Sequence, residues 1–552
     1  MLAVGACAII LLTVFAYIPA MRGGFVWDDD MYLTRNPLIT APDGLSRIWF
    51  SLDSPSQYFP LVYTVFRTEH SLWGFNPLGY HVVNVFLHIA NALLLWLILR
   101  RLSIPGAWLA AAIFALHPVN VESVAWITEL KNVLSTIFYL LSVLAWIQFL
   151  DQSGNRRRLY YALGLASCAL ALFAKTTACT IPAVLLIVLW IRRERIDARR
   201  IVQVMPFVIM GMAMALLSIW WERNHAGTIG PAFAFSPAER ILIAGRALWF
   251  YLGKLIWPAK LAFSYPKWQV DARDPAQYLW PAAYVIAAAA LWIGRKRWSR
   301  GPLIAAVYFT AVLGPMLGFI SLYTFRYSFV ADHYQYLACV GPIVLFALLV
   351  GKVKKPPVLR YAVPALVLCI LGVLAWRQGS AYRDAETLWR DTIAKNPASS
   401  MAHNELAVIL LGRGETGEAE VHLRDALHSD PDNCEAHSNM AVILIEDRQF
   451  SRAARECREA LRLNPGYAGA HTNLGNALTG MGQFHAAEKE YAAAVKLTPD
   501  NGSAHYNLAL CLARLGRLHK AKEQFEETLR INPDDADAQR DLATTLRLLG
   551  RR

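Results

Sequence analysis

Apolar residues dominate the chain in long runs as far as Trp376, and beyond that point small apolar and charged residues alternate at helical spacing. A helix needs about 20 apolar residues to cross the roughly 30 Å hydrocarbon core of a bilayer. Eleven stretches meet or approach that length: residues 2–20, 80–99, 106–124, 132–150, 159–174, 177–191, 201–221, 277–294, 301–320, 335–351 and 357–376. The pattern predicts an all-α protein whose first part is a polytopic membrane domain with about 11 transmembrane helices.

A twelfth apolar stretch, Ile241 to Trp257, contains Arg246 and Lys254, which are costly in hydrocarbon. If this stretch lies along the interface, the five basic clusters between the spans all fall on the cytoplasmic side, as the positive-inside rule requires. These clusters begin at Arg100, Arg156, Arg192, Arg295 and Lys352. Eleven crossings then place the amino terminus in the cytoplasm, and they place the loop 21–79 and the segment after Trp376 on the outer side.

Composition supports a membrane protein and argues against a nucleic-acid-binding one. Of the 552 residues, 56% are hydrophobic and 17% are charged, and the mean hydropathy is +0.32. Much of the net charge of +13 lies in clusters between apolar runs, where it sets membrane orientation, so membrane lipid is the predicted partner and nucleic acid is not. The eight cysteines show neither metal-ligand spacing nor a disulfide framework, and they are predicted to pack as small apolar residues.

The carboxyl-terminal part repeats with a fixed period. Prolines at 397, 431, 465, 499 and 533 recur every 34 residues, which is the period of the tetratricopeptide repeat, a helical hairpin that stacks on its neighbours. In the repeat that starts at Ala468, the stations typical of that family hold Leu474, Gly475, Leu478, Gly482, Ala487, Tyr491, Ala494 and Pro499. The resemblance covers four repeats from Ser400 to Pro533 and predicts an α-solenoid, with a helix before it around 385–394 and a closing helix at 536–549.

Two polar ladders run through these repeats. The fourth station holds His403, His437, His471 and His505. These side chains are predicted to pack between helices, since successive repeats lie about a helix width apart, too far to share a metal ion. The sixth station holds Asn439, Asn473 and Asn507, whereas the first repeat has Glu405 there. In this family the sixth station lines the concave groove, where an amide can bond the backbone of an extended peptide; the alternative is a solvated polar face.

The stretch "FVWDDDMYLTRNP", Phe25 to Pro37, places Asp28, Asp29 and Asp30 close to a membrane. Three carboxylates at a low-dielectric boundary repel one another, so at least one is expected to have a raised pKa unless a cation compensates. A carboxyl group of that kind suits a general base. A solvated acidic turn is the alternative. A divalent cation bound in the DxD manner is a third hypothesis, but nothing nearby resembles the nucleotide-sugar fold that carries that motif, so no metal ligand or cofactor is assigned.

Further polar residues fall on the same predicted outer side, near the ends of apolar runs. They are His117, Glu122, Glu129, Lys131, Lys175, Arg326, Asp332, His333 and Tyr334. Charges this near hydrocarbon are costly and indicate function, although each one alone is also explained by a side chain that reaches from a helix end to water. Together with the acidic loop they form a set of cations and carboxylates that could bind a phosphate beside a base.

The order of the motifs resembles one known family. The motifs are "FVWDDD", "YHVVNVFLHIANALLLWLILRRL", "HPVNVESVAWITELKNVLST", "AKTTACTIPAVLL" and "ADHYQYLACVGP", followed by the repeats. In this order the chain is similar, over nearly its whole length, to the transmembrane and tetratricopeptide-repeat-containing O-mannosyltransferases and their bacterial relatives. That resemblance implies a GT-C glycosyltransferase, an inverting enzyme that takes a sugar from a polyprenyl-phosphate carrier on the outer leaflet.

The resemblance also implies roles for particular residues. The aromatic–Asp–acid motif of the family matches Trp27, Asp28 and Asp29, so one of these two aspartates is the expected base, with Asp28 preferred and Asp30 an extra residue. The expected ligands of the donor phosphate are Lys131, Lys175, Arg326 and His333. His333 stands where bacterial relatives carry an arginine, so either His333 binds the phosphate when protonated, which makes activity sensitive to pH, or Arg326 and Lys175 suffice. The supporting residues of the matched motifs are His117, Glu122, Asp30 and Tyr334.

These expectations combine into one functional hypothesis. The chain is expected to transfer mannose or another hexose from a polyprenyl-phosphate donor to Ser or Thr hydroxyls of an acceptor polypeptide held by the repeats. The first alternative is a glycan or lipid glycosyltransferase of the cell envelope. The second is a scaffold without enzymatic activity, in which the membrane part only anchors the repeats.

The expected domain organisation follows from the change in pattern near Trp376. Residues 1–376 form the GT-C-like membrane domain, with its first outer loop at 21–79. Residues 377–399 form a linker with a lead-in helix, and residues 400–552 form the repeat domain with its capping helix. The expected location is the bacterial inner membrane, with the amino terminus cytoplasmic and the repeats periplasmic.

Overall fold

The computed structural model describes residues 2–51, 57–225, 228, 233–297, 299–351 and 357–550. These residues form helices joined by turns, with no β-strand among them, so the predicted all-α class is confirmed. The chain separates into two compact units, Met1–Asn396 and Pro397–Arg552. The predicted basic cluster that begins at Lys352 falls within residues 352–356, which lie outside the described part of the chain.

The first unit contains eighteen described α-helices of very different lengths. They are Leu2–Ala16, Ile18–Met21, Pro37–Thr40, Gly44–Phe50, Pro60–Trp73, Pro77–Arg101, Ala107–Leu116, Val121–Ala125, Leu130–Asp151, Gly154–Ala174, Ile181–Ile191, Ala198–Asn224, Pro237–Ile256, Leu279–Gly294, Gly301–Leu313, Val340–Gly351, Pro357–Ser380 and Ala385–Lys395. Single turns of other helix types lie between them: a π-helical turn at Asp30–Thr34 and 3-10 turns at Pro118–Asn120, Ile127–Glu129, Thr176–Thr180, Pro275–Tyr278, Gly314–Met316, Tyr323–Arg326 and Asp332–Gln335.

Several of these helices are suited to a membrane. Among the described residues, five are long and apolar enough to cross one: Pro77–Arg101, Ile127–Asp151, Ala198–Asn224, Pro275–Gly294 and Tyr361–Ser380. A sixth span results if Ala107–Leu116 and Pro118–Ala125, which meet at a bend of 54°, are counted together. Four further apolar helices are shorter: Leu2–Ala16, Thr176–Ile191, Gly301–Met316 and Val340–Gly351. Several of the stretches counted in the sequence thus correspond to short or bent helices, because turns and prolines interrupt them.

The apolar stretch that contains Arg246 and Lys254 belongs to the helix Pro237–Ile256. This helix is not among the five that are long and apolar enough to cross a membrane. The guanidinium carbon of Arg246 lies 4.5 Å from the centroid of the Trp268 ring, a favourable cation–π distance. The Lys254 ammonium donates to the carbonyl of Ala259 at 3.0 Å. Both basic side chains therefore have polar or aromatic partners close to the helix.

Buried polar residues of the helix Pro77–Arg101 hold neighbouring segments in register. The Asn91 amide donates to the carbonyl of Val133 at 2.9 Å, and the Asn84 amide donates to the carbonyl of Trp126 at 3.3 Å. Buried amides are stable only when they are hydrogen-bonded. These two bonds fix the start of the helix Leu130–Asp151 and the turn before it, where several candidate site residues lie.

The second unit is a stack of helical hairpins, as the 34-residue period predicts. Its helices are Ser400–Gly412, Thr416–Ser429, Cys434–Glu446, Phe450–Leu463, Ala468–Gly480, Phe484–Leu497, Gly502–Arg514, Leu518–Ile531 and Ala536–Leu549. Small residues allow the close approach of paired helices. A Cβ atom at Gly475 would lie 2.5 Å from the ring of Tyr491, so this station accepts only glycine without displacing the tyrosine.

Candidate active site

Aromatic packing around Trp27 holds the acidic loop. Trp27 has a φ of +48°, a left-handed conformation that is rare for a bulky residue and that surrounding contacts must maintain. Its ring lies 5.5 Å from Trp126, 5.2 Å from Phe263 and 6.3 Å from Trp389, measured between ring centroids. The carboxylates that follow Trp27 therefore extend from a fixed backbone.

Asp29 holds the loop to the turn that precedes the helix Leu130–Asp151. It is 0% exposed, and its carboxylate accepts hydrogen bonds from the Val26 amide and the Thr128 amide, both at 2.8 Å. The Thr128 hydroxyl donates to it as well. Burial raises the pKa of Asp29 to about 6, and these hydrogen bonds limit the rise. Asp30 differs, because its half-exposed carboxylate pairs with Arg35 at 3.2 Å.

Asp28 has the environment expected of a general base. Its Oδ1 atom is shielded from solvent and has no hydrogen-bond partner in the part of the chain that the structure describes. Burial raises the pKa of Asp28 to about 8; Lys131 opposes the rise, while Asp29 and Glu129 add to it. A carboxylate with an unpaired oxygen and a pKa near neutrality is able to accept a proton from a substrate hydroxyl.

Glu129 joins two lysine side chains at the centre of the site. Its carboxylate is 0% exposed and lies 2.9 Å from the ammonium of Lys131 through one oxygen and 3.2 Å from that of Lys175 through the other. Asn132 donates to it as well, at 2.5 Å. Two buried ammonium groups share one carboxylate, and Asp28 and Glu122 are further negative groups that act on Lys131 and Lys175 respectively. The two lysines are cations that could also pair with an anionic ligand.

Lys131 connects this pair of cations with the acidic loop. Its ammonium lies 5.0 Å from the centroid of the Tyr32 ring and 5.4 Å from that of Trp126. Tyr32 belongs to the turn that contains Asp30, and Trp126 packs against Trp27. The structure therefore brings Lys131, Lys175 and the aspartates Asp28 and Asp29 into one connected region.

His333 lies against the same region through two glutamates. Its backbone amide donates to the Glu122 carboxylate at 2.9 Å, and its Nδ1 atom lies 3.1 Å from the other oxygen of that carboxylate. Its Nε2 atom is 3.9 Å from Glu129, and its carbonyl accepts from Asn132 at 3.0 Å. Glu122 thus holds His333 beside Glu129 and the two lysines.

His117 occupies the bend between Ala107–Leu116 and Pro118–Ala125. Its Nε2–H donates to the carbonyl of Leu255 at 3.1 Å, since a carbonyl oxygen can only accept. Its Nδ1 atom accepts from the Val119 amide at 3.4 Å. The histidine is 3% exposed. These contacts stabilise the bend that leads to Glu122 and Glu129.

Tyr334 and Arg326 lie on turns next to His333. The Tyr334 hydroxyl is hydrogen-bonded to the Thr324 hydroxyl, which belongs to the same 3-10 turn as Arg326, Tyr323–Arg326. The guanidinium carbon of Arg326 lies 5.7 Å from the centroid of the Tyr327 ring. The carbonyl of Arg326 accepts a hydrogen bond from the Lys267 ammonium at 3.1 Å.

A cavity opens beside these residues. Its lining includes Asn132, His333 and Tyr334, followed by side chains of the adjoining apolar helices, among them Val312 and Leu337. Asn132 and His333 contact Glu129 or Glu122, and the rest of the lining is mixed, because it also includes Ser135, Thr136 and Thr177. The cavity volume is about 30 Å³, room for a water molecule or two, so a larger ligand needs the lining side chains to move apart.

The asparagine ladder forms hydrogen bonds along the repeat stack. The Asn439 amide donates to the Asn404 side chain at 2.9 Å, and the Asn473 amide donates to the hydroxyl of Ser438 at 3.0 Å. Each donor reaches a residue 35 positions earlier, in the preceding repeat. The amide orientation of these two residues is therefore set by the neighbouring repeat, and Asn507 lies at the same station, half-buried, one repeat further on.

Sequence reasoning missed several residues that shape this site. Thr128, Asn132 and Trp126 all lie within the quoted "ESVAWITELKN" stretch, so their motif was found but their roles were not. Tyr265, whose hydroxyl donates to Asp332 at 2.9 Å, lies in a segment without any quoted motif. These roles depend on contacts between distant parts of the chain, which residue spacing alone does not reveal.

Two family models match the carboxyl-terminal part of the chain from residue 371 onward. A model described as tetratricopeptide repeat matches residues 371–434, 411–468 and 472–536, and a second model of that description matches 444–496. Among solved structures, YrrB, a TPR protein with an unusual peptide-binding site, is 23% identical; the match covers 30% of this chain and 87% of that one, with a TM-score of 0.27.

Curated relatives match both parts of the chain. The protein O-mannosyl-transferase Tmtc1 of Drosophila melanogaster is 27% identical over 526 residues, which covers 73% of this chain and 59% of the relative. The protein O-mannosyl-transferase TMTC4 of Mus musculus is 25% identical over 482 residues, which covers 73% of this chain and 63% of the relative. The chain therefore spans about three fifths of the length of these two relatives. Its homologues are protein O-mannosyl-transferases, and its carboxyl-terminal part consists of tetratricopeptide repeats.

Proposed function

We propose that the chain is a membrane glycosyltransferase that moves a sugar, mannose or another hexose, from a polyprenyl-phosphate donor to Ser or Thr hydroxyls of a polypeptide. The observation that carries the proposal is the unpaired carboxylate oxygen of Asp28 beside Lys131, which shares Glu129 with Lys175. The homology to protein O-mannosyl-transferases supports transfer to a protein.

The proposed reaction is a direct displacement at the anomeric carbon. The acceptor hydroxyl oxygen forms the new bond to that carbon, and Asp28 takes up the hydroxyl proton. The bond between the anomeric carbon and the phosphate oxygen breaks, and its electron pair remains on the lipid phosphate. Lys131 and Lys175 stabilise this negative charge, with His333 and Arg326 as further ligands. One displacement inverts the anomeric configuration and needs no covalent intermediate with the protein.

Asp29 acts in this scheme as a positioning residue. Three hydrogen bonds occupy its carboxylate, so it has less capacity than Asp28 to accept a proton. The two neighbouring aspartates thus have different roles in the proposal. Glu122 and His117 support the site by holding His333 and the helix bend.

The cavity beside His333 and Asn132 is the proposed place for the donor. Its lining residues Asn132 and His333 adjoin Glu129, which suits the phosphate, and the cavity has to widen from its volume of about 30 Å³ to admit the donor. The repeats are the proposed acceptor-binding part, through Asn439, Asn473 and Asn507. Because they belong to the same chain, a bound acceptor is kept at a high effective concentration near the enzyme.

We further propose that the protein resides in a bacterial inner membrane with its amino terminus in the cytoplasm. The loop 21–79 and the repeats then face the periplasm, where the lipid-linked donor is presented. The domain boundaries proposed are those expected from the sequence, 1–376, 377–399 and 400–552. Protease added to cells stripped of their outer membrane is expected to cleave the repeats, and their full protection would contradict this orientation.

The decisive experiment measures transfer of labelled hexose from a polyprenyl-phosphate donor to a Ser/Thr-containing polypeptide by the full chain in nanodiscs. Asp28→Asn is expected to lower the rate by about 100-fold or more, since it removes the general base. Asp30→Asn is the matched control, because it changes an adjacent aspartate whose described ion pair is with a surface arginine. Its activity is expected to remain near that of the unaltered chain.

Other results would favour the alternatives. Full activity of the Asp28→Asn variant would exclude Asp28 as the base. Hexose found by mass spectrometry on a glycan or a lipid, and absent from Ser and Thr of exported proteins, would indicate an envelope glycosyltransferase. A cellular phenotype that survives Asp28→Asn but is lost on deletion of residues 400–552 would indicate a scaffold.

A further inference from the structure

The fourth-station histidines share one hydrogen bond in all four repeats. The Nε2 atom of each lies about 3 Å from the carbonyl oxygen of the proline six residues earlier: 3.1, 3.0, 3.1 and 2.9 Å for His403, His437, His471 and His505. A carbonyl oxygen can only accept, so each Nε2 carries a proton. In the neutral ring, Nδ1 then carries a lone pair.

The partner of Nδ1 differs in the first repeat. In the second, third and fourth repeats, Nδ1 lies 2.7 Å from Glu456, Glu490 and Gln524, the residue 19 positions later. In the first repeat that residue is His422, and the two Nδ1 atoms, of His403 and His422, are 2.9 Å apart. In the first repeat, the partner of the fourth-station Nδ1 atom is therefore an imidazole nitrogen of His422, where the other three repeats have a side-chain oxygen.

The nitrogen–nitrogen contact brings two possible metal ligands together. Because Nε2 of His403 carries a proton, its Nδ1 presents a lone pair towards His422 at 2.9 Å. Nε2 of His422 lies 3.7 Å from the carboxylate of Glu418. With a proton on that nitrogen, the two Nδ1 lone pairs face each other and can bind the same metal ion, whereas with the proton on Nδ1 the rings form an ordinary N–H···N hydrogen bond.

A third ligand of the same kind lies beside the two rings. The Asp425 carboxylate is 3.9 Å from Nδ1 of His403, and the donor atoms of His403, His422 and Asp425 all lie within 4.8 Å of one another. His403 is buried and Asp425 is exposed, so the group is open to solvent on one side. The corresponding positions in the third repeat are Glu490 and Ala493, so the complete set is not repeated there.

We propose that the first repeat binds one divalent transition-metal ion of the zinc class through Nδ1 of His403, Nδ1 of His422 and the carboxylate of Asp425. Two imidazoles and a carboxylate are a ligand set that Zn²⁺ prefers, and a fourth position remains open to water. Ligand nitrogens on tetrahedral zinc are about 3.4 Å apart, so the rings need to separate by about half an ångström.

Groups outside the ligands support this assignment. Ring nitrogens that bind a metal usually donate their other N–H to a carbonyl or a carboxylate, which fixes the tautomer and the ring orientation. The Nε2–H group of His403 donates to the Pro397 carbonyl, and Nε2 of His422 faces the Glu418 carboxylate. The position of Glu418 is occupied by Arg452, Ala486 and Lys520 in the later repeats. The bound ion would join the two helices of the first repeat, Ser400–Gly412 and Thr416–Ser429.

The test uses the full chain in detergent, purified without a metal-affinity tag and stripped with a chelator. Bound Zn²⁺ is measured by elemental analysis after equilibrium dialysis, and Co²⁺ is added as a spectroscopic probe. The chain is expected to bind one equivalent of Zn²⁺ more than the variant His422→Glu. That variant is a matched control, because it recreates the His–Glu pair of the second and third repeats and should keep the fold.

A second variant guards against loss of folding. Asp425→Ala carries the residue that the third repeat has at this position, and it is expected to weaken Zn²⁺ binding by about 10-fold or more. Visible absorption of tetrahedral Co²⁺ should appear in the unaltered chain and be absent from His422→Glu. Equal Zn²⁺ binding by the unaltered chain and His422→Glu would overturn the proposal, and so would an unaltered chain that binds none and merely shares a proton between the two rings.

Discussion

Thr128 donates both its backbone amide and its hydroxyl to one carboxylate oxygen of Asp29. This pair of hydrogen bonds connects the acidic loop with the turn Ile127–Glu129, which leads directly to Glu129 and Lys131. The loop that carries the proposed base and the turn that leads to the proposed phosphate ligand are therefore connected by hydrogen bonds from one threonine, in addition to the packing of Trp27 against Trp126.

The substitution Thr128→Val tests this connection. Valine keeps the side-chain shape and the backbone amide but removes the hydroxyl donor, so Asp29 is held less firmly and Asp28 is displaced with it. Transfer is expected to fall by about 10- to 100-fold. Because the Thr128 hydrogen bond lowers the pKa of both aspartates, the pH at which activity rises should also move upward.

A matched control for that substitution is Thr13→Val. The Thr13 hydroxyl is equally buried but donates within its own helix, to the carbonyl of Ile9 at 2.6 Å. Its loss removes a buried hydroxyl without changing the acidic loop. Equal rates and pH profiles for the two variants would contradict the positioning role of Thr128.

The pH dependence of transfer follows from the environment of Asp28. The base is active only when deprotonated, and burial raises the pKa of Asp28 to about 8. The rate at limiting substrate is therefore expected to increase about tenfold per pH unit below that value and to level off above it. A profile measured from pH 5 to 9 that is already flat at pH 6 would show that the base has an ordinary carboxyl pKa.

The Glu129 carboxylate lies between Lys131 and Lys175, so its removal is expected to lower stability and an added anion to restore part of it. Glu129→Gln leaves Lys131 and Lys175 buried without their counter-charge, so the free energy of unfolding is expected to fall by about 3–5 kcal/mol. Inorganic phosphate should restore part of the melting temperature, because its negative charge can partly replace that of Glu129 beside the two ammonium groups. Thermal unfolding in detergent, with and without phosphate, measures both effects.

Glu69→Gln is the control for that experiment. Glu69 is also buried, and its carboxylate has no hydrogen-bond partner in the part of the chain that is described. Burial raises the pKa of Glu69 to about 8, so the neutral amide should cost little stability, and phosphate should not change its melting temperature. The same phosphate effect in both variants would disprove a specific anion position at Glu129.

The asparagine ladder predicts a defect in acceptor binding. Replacing Asn439, Asn473 and Asn507 with alanine is expected to raise KM for a long unfolded acceptor by about 10-fold or more, since each lost amide removes roughly 0.5–1.5 kcal/mol of hydrogen bonding. The rate with a short Ser/Thr peptide should be unchanged. Transfer assays with acceptors of two lengths provide this comparison.

An equally spaced control lies on the second helices of the same repeats. Arg455, Lys489 and Glu523 are exposed and also recur every 34 residues. Their replacement with alanine should leave KM for the long acceptor unchanged. If both triple variants have the same KM, the acceptor does not use the sixth-station amides.

Much of the fold could be predicted from the sequence because its signals are periodic. The 34-residue spacing of prolines identifies the repeats, and apolar runs identify the membrane part. The exact ends of the helices and the positions of their bends were harder to predict from the sequence. The bend at His117 depends on a hydrogen bond to Leu255, which is 138 positions away, and no local pattern encodes it.

The sequence left Asp28 and Asp29 as alternatives for the base. They differ in the structure because Asp29 accepts hydrogen bonds from the Val26 amide and from the Thr128 amide, 99 positions further on, whereas Oδ1 of Asp28 has no partner in the described part of the chain. In the repeats, the spacing of the histidine ladder argues against a metal ion shared between successive repeats. His422 lies off the ladder, so its approach to His403 became visible only once the two helices of one hairpin were paired in space.

The bond between Asp29 and Thr128 also has a consequence for biogenesis. The long helix Pro77–Arg101 and the bent pair Ala107–Leu116 and Pro118–Ala125 lie between the two residues in the chain. The acidic loop can therefore reach its buried position only after these segments have entered the bilayer and packed, since the closure of so long a segment must come first. In the proposed function, a nascent chain that has not yet reached residue 128 lacks the hydrogen bonds that hold Asp29, so the proposed base becomes ordered only when insertion is well advanced.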